Sequence, residues 1–247
     1  MARYALVIGI QNYQSPYLQP LSKAAADAEA IAQPLEQHGD FQQVMRLPAR
    51  WVEAEQRESV SQKKSLRGAE LGQALQTFLL EQAVKQDALI YFSGHGFVTT
   101  DSLGDREGYL APSDVQLEVE GDRIAAQKYS ISLNSLNRLI EKSDLSSLVV
   151  LLDCCHSGYF IDRPLTEQSL SAFRHKQDYC LITASRGFEQ AFEGEQYSVF
   201  TAAVLAGLSR ENANPKTGRV SGDRLFDSVY TQLQNRGGTG CILLWAA

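Results

Sequence analysis

Short apolar runs bounded by polar turns recur along the chain and alternate with longer segments of mixed apolar and polar positions. Five of these runs predict strands, over residues 3–10, 42–47, 87–93, 147–154 and 178–184. Runs that are apolar throughout are typical of parallel strands buried on both faces. The amphipathic segments predict helices, over residues 22–38, 68–85, 132–142, 198–209 and 221–235. This alternation predicts an α/β fold with helices on both faces of a central, mainly parallel sheet.

Three segments fit neither pattern: residues 48–66, 97–130 and 158–177. Long stretches of this kind often carry function, so we expect functional loops there. In the second segment we expect a hairpin or an ion-binding excursion. In the third we expect exposed basic residues that are accessible to proteolysis, namely Arg163, Arg174 and Lys176.

Two of the predicted strands end in residues that carry chemistry. The run Ser147–Leu152 leads into Asp153-Cys154-Cys155-His156-Ser157-Gly158, and the run Ala88–Phe92 leads into Ser93-Gly94-His95-Gly96. The carboxyl ends of parallel strands lie at one edge of a sheet, so the two tips can meet despite their separation in sequence. A thiol with a pKa near 8.5 needs a partner that removes its proton. His95 is the natural partner for a thiol at the second tip.

Successive side chains of a strand point to opposite faces, and this distinguishes the two adjacent cysteines. Asp153 and Cys155 share one face, and Cys154 points to the other, towards packing. We therefore predict Cys155 as the nucleophile and Cys154 as core, while His156 is badly directed to serve as the base. The amides of Gly96 and Cys155 are predicted to stabilise the oxyanion on a scissile carbonyl. The alternative for Ser-Gly-His-Gly is an ordinary tight turn.

These motifs resemble those of the caspase-like cysteine peptidases, and specifically their metacaspase and orthocaspase branch. There the His of Ser-Gly-His-Gly and the Cys before His-Ser-Gly form the catalytic dyad, matched here by His95 and Cys155. Tyr4–Ile10 also resembles the first strand of that family, and Leu21–Ala28 resembles its first helix. The resemblance covers nearly the whole chain and implies a caspase-like fold.

The resemblance also implies an internal division of a single peptidase domain, 1–247. A larger part, 1–157, is followed by a linker loop, 158–177, and a smaller part, 178–247. The apolar segment 241–247 fits either a free C-terminal strand or a strand leading onward in a longer chain.

In metacaspases the pocket for the residue before the cut is acidic, and the resemblance carries that role to Asp27 and Asp153, with Ser93 beside them. Two carboxylates pair with a guanidinium or ammonium group, whereas a preference for Asp would require arginines. The implied activity is an endopeptidase that cuts after Arg or Lys and can process itself. For Asp27, an acid favoured by the helix dipole is the alternative. Ala24 stands where the family often has a cysteine.

The same acids act on the thiol. A carboxylate about 8 Å from the sulfur, at an effective dielectric of about 20, disfavours the thiolate by roughly 2 kcal/mol. A bound Arg or Lys side chain neutralises that field. We therefore hypothesise that a cationic substrate activates the Cys155 thiol as well as filling the pocket.

The resemblance raises the question of calcium, to which many metacaspases respond. Asp162 is similar to one ligand of that family, and Asp105 and Asp122 are further candidates. Calcium binds six to eight oxygens, and acids are sparse between residues 97 and 130. The expectation is that no cofactor is required, with Ca²⁺ as an optional activator and solvated loop acids as the alternative.

Composition restricts the remaining function classes. The chain has 247 residues, 44% of them apolar, and a net charge of −6 without a basic cluster, which excludes nucleic acid as the expected partner. No apolar run approaches the roughly 20 residues of a membrane span, and the first run is too short for a signal peptide. The four cysteines show no zinc-like spacing, so we expect reduced thiols, with Cys180 and Cys241 buried. We expect a cytoplasmic monomer that acts on proteins or peptides.

Two other functions remain open. The chain can be a dormant caspase-like binding or scaffold domain that requires a partner. A thiol redox role for Cys154 and Cys155 is the weaker alternative, because adjacent cysteines seldom form a relaxed disulfide.

Overall fold

The computed structural model describes residues 1–154, 163–184, 196–235 and 241–245. The strands are, in chain order, β1 (Arg3–Gly9), β2 (Gln43–Leu47), β3 (Ala49–Val52), β4 (Arg57–Val60), β5 (Asp87–Ser93), β6 (Gly96–Thr100), β7 (Arg106–Leu110), β8 (Gln116–Glu120), β9 (Arg123–Lys128), β10 (Ile131–Ser132), β11 (Ser147–Asp153), β12 (Tyr179–Ala184) and β13 (Cys241–Trp245). The helices are α1 (Ala24–His38), α2 (Gly68–Thr77, continued by a π-helical turn), α3 (Leu133–Lys142), α4 (Arg163–Ser169), α5 (Val199–Gly207) and α6 (Gly222–Asn235). All five predicted strands and all five predicted helices are present, with ends that differ by a few residues.

The main sheet has six strands in the order β13-β12-β11-β5-β1-β2. Its strands run parallel except β13, which is antiparallel to β12. The chain thus forms the mainly parallel sheet that the apolar runs predict, and segment 241–245 joins it as an edge strand.

Helices cover both faces of this sheet. On one face α2 and α3 pack against alternate strand residues such as Ile8, Phe92 and Leu152. On the other face α1, α5 and α6 pack against the residues in between, among them Tyr91 and Leu151. Burying a large apolar side chain stabilises the fold by about 1.5–3 kcal/mol, so these two layers hold the sheet between them. The predicted α/β architecture is confirmed.

A second sheet occupies most of residues 97–130, where we expected a loop. Its strand order is β10-β7-β6-β9-β8, and the antiparallel β6–β7 pair is the hairpin that the sequence predicted. Phe97 of β6 and Ile124 of β9 are fully buried. Within 48–66, strands β3 and β4 form a further hairpin.

The segment 158–177 also differs from the expectation of a linker loop in its described part. Residues 163–169 form α4, and a 3₁₀ turn follows over Ser171–Arg174. Leu170 and Phe173 are fully buried, so apolar burial fixes this stretch against the core. Among the described residues, no helix combines the length and the apolar surface that a membrane crossing requires.

Candidate active site

Three neighbouring strands end together at the carboxyl edge of the main sheet. Gly9 at the end of β1 pairs with Ser93 at the end of β5, and Ser93 pairs with Asp153 at the end of β11. The two strand tips that carry the motifs are therefore side by side, as the sequence predicted. Asp153 faces the same layer as Tyr91, and Cys154 packs against the opposite one.

The first turn of α1 lies directly against the end of β1. A Cβ atom on Gly9 would stand 2.5 Å from the carbonyl oxygen of Ala24 and 2.7 Å from the Cβ of Ala28. Only glycine permits this approach, because those distances are below van der Waals contact. The close packing brings Asp27 to the sheet edge, where its side chain is 1% exposed.

Ser198, the residue before α5, connects the two acids. Its backbone N–H donates to Asp27 Oδ1 at 2.9 Å, and its hydroxyl donates to Asp153 Oδ2 at 2.5 Å. The same oxygen Oγ accepts from the N–H of Thr201 at 3.0 Å, which caps α5. The structure thus brings Asp27 and Asp153 together as predicted, through a residue that the sequence analysis missed.

Two further hydroxyls converge on Asp153. Thr201 Oγ1 donates to Asp153 Oδ2 at 3.2 Å and lies 2.6 Å from the hydroxyl of Tyr91. The Tyr91 hydroxyl itself lies 3.5 Å from the carboxylate oxygen. Thr201 and Tyr91 are fully buried, and Asp153 is 4% exposed.

Burial controls the charge of the acidic pair, Asp27 and Asp153. Desolvation, followed by the nearby Asp153 charge, raises the pKa of Asp27 to about 8, although Ser198 and Lys23 oppose the shift. Burial also raises the pKa of Asp153, against the hydrogen bonds from Ser198, Thr201 and Tyr91. Two like charges this close do not both ionise freely. Near neutral pH the empty pair therefore keeps a proton on Asp27.

His95 follows the same strand end and is 2% exposed. Its Nε2 lies 2.8 Å from the backbone oxygen of Gln19. A carbonyl only accepts, so Nε2 carries the proton and Nδ1 is the nitrogen that can take another. Burial lowers the pKa of His95, which keeps the imidazole neutral at pH 7. Tyr13 supports the ring at 4.7 Å between centroids and accepts from the His95 backbone N–H at 2.8 Å.

The structure describes the side chains of two cysteines, Cys154 and Cys180. Cys154 is half-buried against the core, and desolvation followed by the Asp153 charge raises its pKa to about 12. Cys180 is buried as expected, and its pKa is likewise raised to about 12, chiefly by desolvation. Both thiols therefore ionise poorly at neutral pH. The predicted nucleophile Cys155 lies outside the described residues, and so does Asp162. Gly96 is buried at the start of β6.

The described residues do not supply a calcium cage. In that part of the chain no three His, Cys, Asp or Glu side chains are grouped to hold a metal ion. Asp101 instead organises its own turn, because its Oδ1 accepts from the N–H groups of Leu103 and Asp105. Asp122 is exposed on the β8–β9 turn.

Comparison with known proteins resolves the family. A sequence model of the caspase domain matches residues 2–239, nearly the whole chain. The chain belongs to the caspase domain family. This is a family of cysteine peptidases, which accords with a histidine and a cysteine at the ends of adjacent strands. No curated protein is similar enough to the sequence to count as a match.

Solved structures agree on the fold. Protein GSU0716 from Geobacter sulfurreducens is similar with a TM-score of 0.60 at 15% identity, over 100% of this chain and 95% of that one. The structure of pro-sf-caspase-1 is similar with a TM-score of 0.55 at 10% identity, over 94% of this chain and 80% of that one. At these identities the likeness establishes the caspase-like fold alone.

Proposed function

We propose that this caspase-domain protein is a cysteine endopeptidase of the metacaspase and orthocaspase branch that cuts after Arg or Lys. The observation that carries the specificity is the acidic pair, Asp27 and Asp153, bridged by Ser198 at the carboxyl edge of the sheet. Ser93 lies beside Asp153 in register. A guanidinium or ammonium group satisfies two carboxylates, whereas an acidic side chain is repelled by them.

The chemistry follows from the dyad. The Cys155 thiol gives its proton to His95 Nδ1 as the sulfur attacks the scissile carbonyl, and the amides of Gly96 and Cys155 stabilise the oxyanion. The C–N bond then breaks, and the amine leaves with the proton from His95. Water hydrolyses the acyl-enzyme, with His95 again accepting a proton, and the thiol is restored.

Burial of the site supports a second candidate, a dormant domain that requires a partner. Asp27, Ser93, His95 and Asp153 are each less than 5% exposed. A substrate contacts these side chains only after neighbouring atoms move. A partner that opens the site and a peptide that opens it unaided are distinguished by turnover of the isolated chain.

Self-processing is part of the proposal, and Arg174 and Lys176, two of the three basic residues expected as cleavage sites in segment 158–177, differ in access. The side chain of the third, Arg163, lies outside the described part of the structure. Lys176 is half-buried; its Nζ donates to the carbonyls of Ile140 and Ser143 and lies 5.1 Å from the centre of the Tyr179 ring. The Arg174 side chain is 48% exposed, where it pairs with Glu167. We therefore propose Arg174 ahead of Lys176 as a cleavage site.

Fluorogenic peptides ending in Arg, Lys or Asp test the proposed function. The wild-type chain should release the fluorophore after Arg and Lys and not after Asp, and Cys155→Ala and His95→Ala should each remove activity. Cys154→Ala is the matched control and should retain it. Each assay is run with calcium and with a chelator to measure activation by Ca²⁺. Preference for Asp, or turnover by Cys155→Ala, would overturn the proposal; no turnover by the wild type would favour the dormant domain.

A further inference from the structure

The hydroxyl groups around the acidic pair are distributed unequally between its two members. Asp153 Oδ2 accepts from the hydroxyls of Ser198 and Thr201, and Thr201 is in turn hydrogen-bonded to Tyr91. Asp27 accepts from the backbone N–H of Ser198, and the Ser198 side chain also lowers the pKa of Asp27. Hydrogen bonds to an ionised carboxylate favour the charged form, so the environment stabilises a negative charge on Asp153 more than on Asp27.

Ser198 also caps α5, so the hydroxyls of Tyr91 and Thr201 are the more specific sign of a role at Asp153. Tyr91 is a fully buried tyrosine in a central strand, where a hydroxyl needs a hydrogen-bond partner. Its nearest partner is Thr201 at 2.6 Å, also fully buried, and Ser93 contacts it as well. When Tyr91 donates to Thr201, the Thr201 proton is directed at Asp153. A chain of donors thus runs from the core of the sheet to one oxygen of one carboxylate.

We propose that Tyr91, Thr201 and Ser198 are positioning residues that keep Asp153 ionised and leave the single proton of the acidic pair on Asp27. The inference rests on the proposed function, because the cation that the pair receives is the side chain before the cut. When a guanidinium or amidinium enters, Asp27 ionises and its proton passes to the solvent. Binding of the cation is therefore an exchange of one cation for one proton.

The groups that face Asp27 agree with this assignment. Asp153 on β11 opposes its ionisation, while Ser198, through its amide and its side chain, and Lys23 on the preceding turn favour it. Tyr91 on β5 stays neutral, because burial and both carboxylates raise its pKa. With a pKa of about 8, Asp27 is about nine-tenths protonated at pH 7 and about one-tenth protonated at pH 9.

Calorimetry with benzamidine tests the exchange without any need for catalysis. Benzamidine carries a planar amidinium that stays charged to pH 9, and neutral benzamide of the same shape is the ligand control. Titration at pH 7 in two buffers of different ionisation heat should show release of close to one proton per benzamidine, falling towards none at pH 9. Affinity should rise about fivefold from pH 7 to pH 8 and about tenfold by pH 9. Absence of proton release at pH 7 would overturn the inference.

Variants assign the effect to the hydroxyls. Tyr91→Phe and Thr201→Val remove one hydroxyl each with little change of shape, and each should weaken benzamidine binding about tenfold at pH 7. Each should also move the midpoint of affinity against pH upward, because Asp153 becomes harder to ionise. Thr201→Ser should restore both values. Tyr179→Phe, which removes a buried hydroxyl bonded to Ser143 instead, should change neither.

A purely structural role predicts a different outcome. It would lower thermal stability in Tyr91→Phe and Thr201→Val without moving the pH midpoint, and that result would overturn the positioning role. If these variants do not fold, the wild-type proton count still decides the exchange. Proton-linked benzamidine binding without peptidase activity would support this inference against the proposed function. Cleavage after Arg without proton release would support the proposed function and contradict this inference.

Discussion

Asp27 is an acid that the fold holds where burial opposes its charge. An acid whose folded-state pKa is raised favours the folded state fully below its unfolded pKa, and this contribution is lost as pH rises through the folded value. For Asp27 that window runs from the ordinary value of 3.8 to about 8. The residue therefore reduces stability at neutral and alkaline pH, which is consistent with a functional role rather than a structural one.

Replacing Asp27 by Asn should reveal this cost. Asn can still accept from the Ser198 N–H, so Asp27→Asn should increase the free energy of unfolding at pH 8 by on the order of a few kcal/mol. The difference should disappear below about pH 4. Denaturant unfolding at a series of pH values measures it, with Glu118→Gln on exposed β8 as the control. An Asn variant less stable than the wild type at pH 8 would contradict the account.

The proposed nucleophile, Cys155, should respond to the same charges. The negative acidic pair should hold the Cys155 thiol protonated, and a bound cation should release it. Alkylation of Cys155 should therefore accelerate on addition of a non-cleavable arginyl peptide, by roughly tenfold for each unit by which its pKa falls towards neutral. Mass spectrometry of the alkylated peptide measures the rate, with a citrulline peptide as the neutral control. Equal rates with and without the arginyl peptide would rule out the activation.

At the scale of elements, the site depends on how α1 lies against β1. Gly9→Ala places a methyl group 2.5 Å from the Ala24 carbonyl, so the helix must shift away. We expect a loss of about 1–3 kcal/mol of stability together with a raised KM for arginyl substrates, because Asp27 moves with the helix. Gly72→Ala in α2 is the control, since its nearest side-chain atom lies at 3.4 Å. Normal KM in Gly9→Ala would show that the contact does not position the pocket.

An ion-pair network also holds α1 in place. The Arg46 side chain on β2 is 2% exposed and pairs with Glu29 and Glu36 of α1, at 3.2 and 2.8 Å. Arg57 on β4 also reaches Glu29. The network connects the helix to the sheet edge and to the β3–β4 hairpin.

Loss of the buried member of this network should be costly. Arg46→Ala should lower the free energy of unfolding by about 3 kcal/mol, because Glu29 remains partly buried with one cation fewer. Arg123→Ala removes an exposed pair with Glu120 and should cost about 0.5 kcal/mol or less. Chemical denaturation compares the two; equal losses would show that burial does not matter here.

In the molecule as a whole, the sequence predicted the elements that have a continuous apolar or amphipathic pattern. The strands of the main sheet are apolar throughout because both faces are buried, and that pattern is unambiguous. The second sheet was missed because its outer strands are half exposed. In β8, for example, Leu117 and Val119 are only partly buried and alternate with the exposed residues Gln116, Glu118 and Glu120. That alternation is a strand signal, but it is short and lies in a polar segment.

The site shows the same division. His95, Ser93 and Asp153 stand in contiguous motifs at predicted strand ends, and Asp27 came from resemblance to a known first helix. Ser198 and Thr201 were missed because they reach Asp153 from 45 and 48 residues away. They reach Asp153 because α5 packs against the sheet, and no local sequence pattern predicts that contact.

We propose that the negative charge of Asp27 and Asp153 selects a cationic side chain before the cut. Citrulline has nearly the shape of arginine without its charge, so the ratio of kcat/KM for matched arginyl and citrullinyl peptides isolates that charge. We predict a ratio of at least about 100 in the wild type, falling below about 10 in Asp153→Asn. Equal cleavage of the two peptides by the wild-type protein would contradict the account.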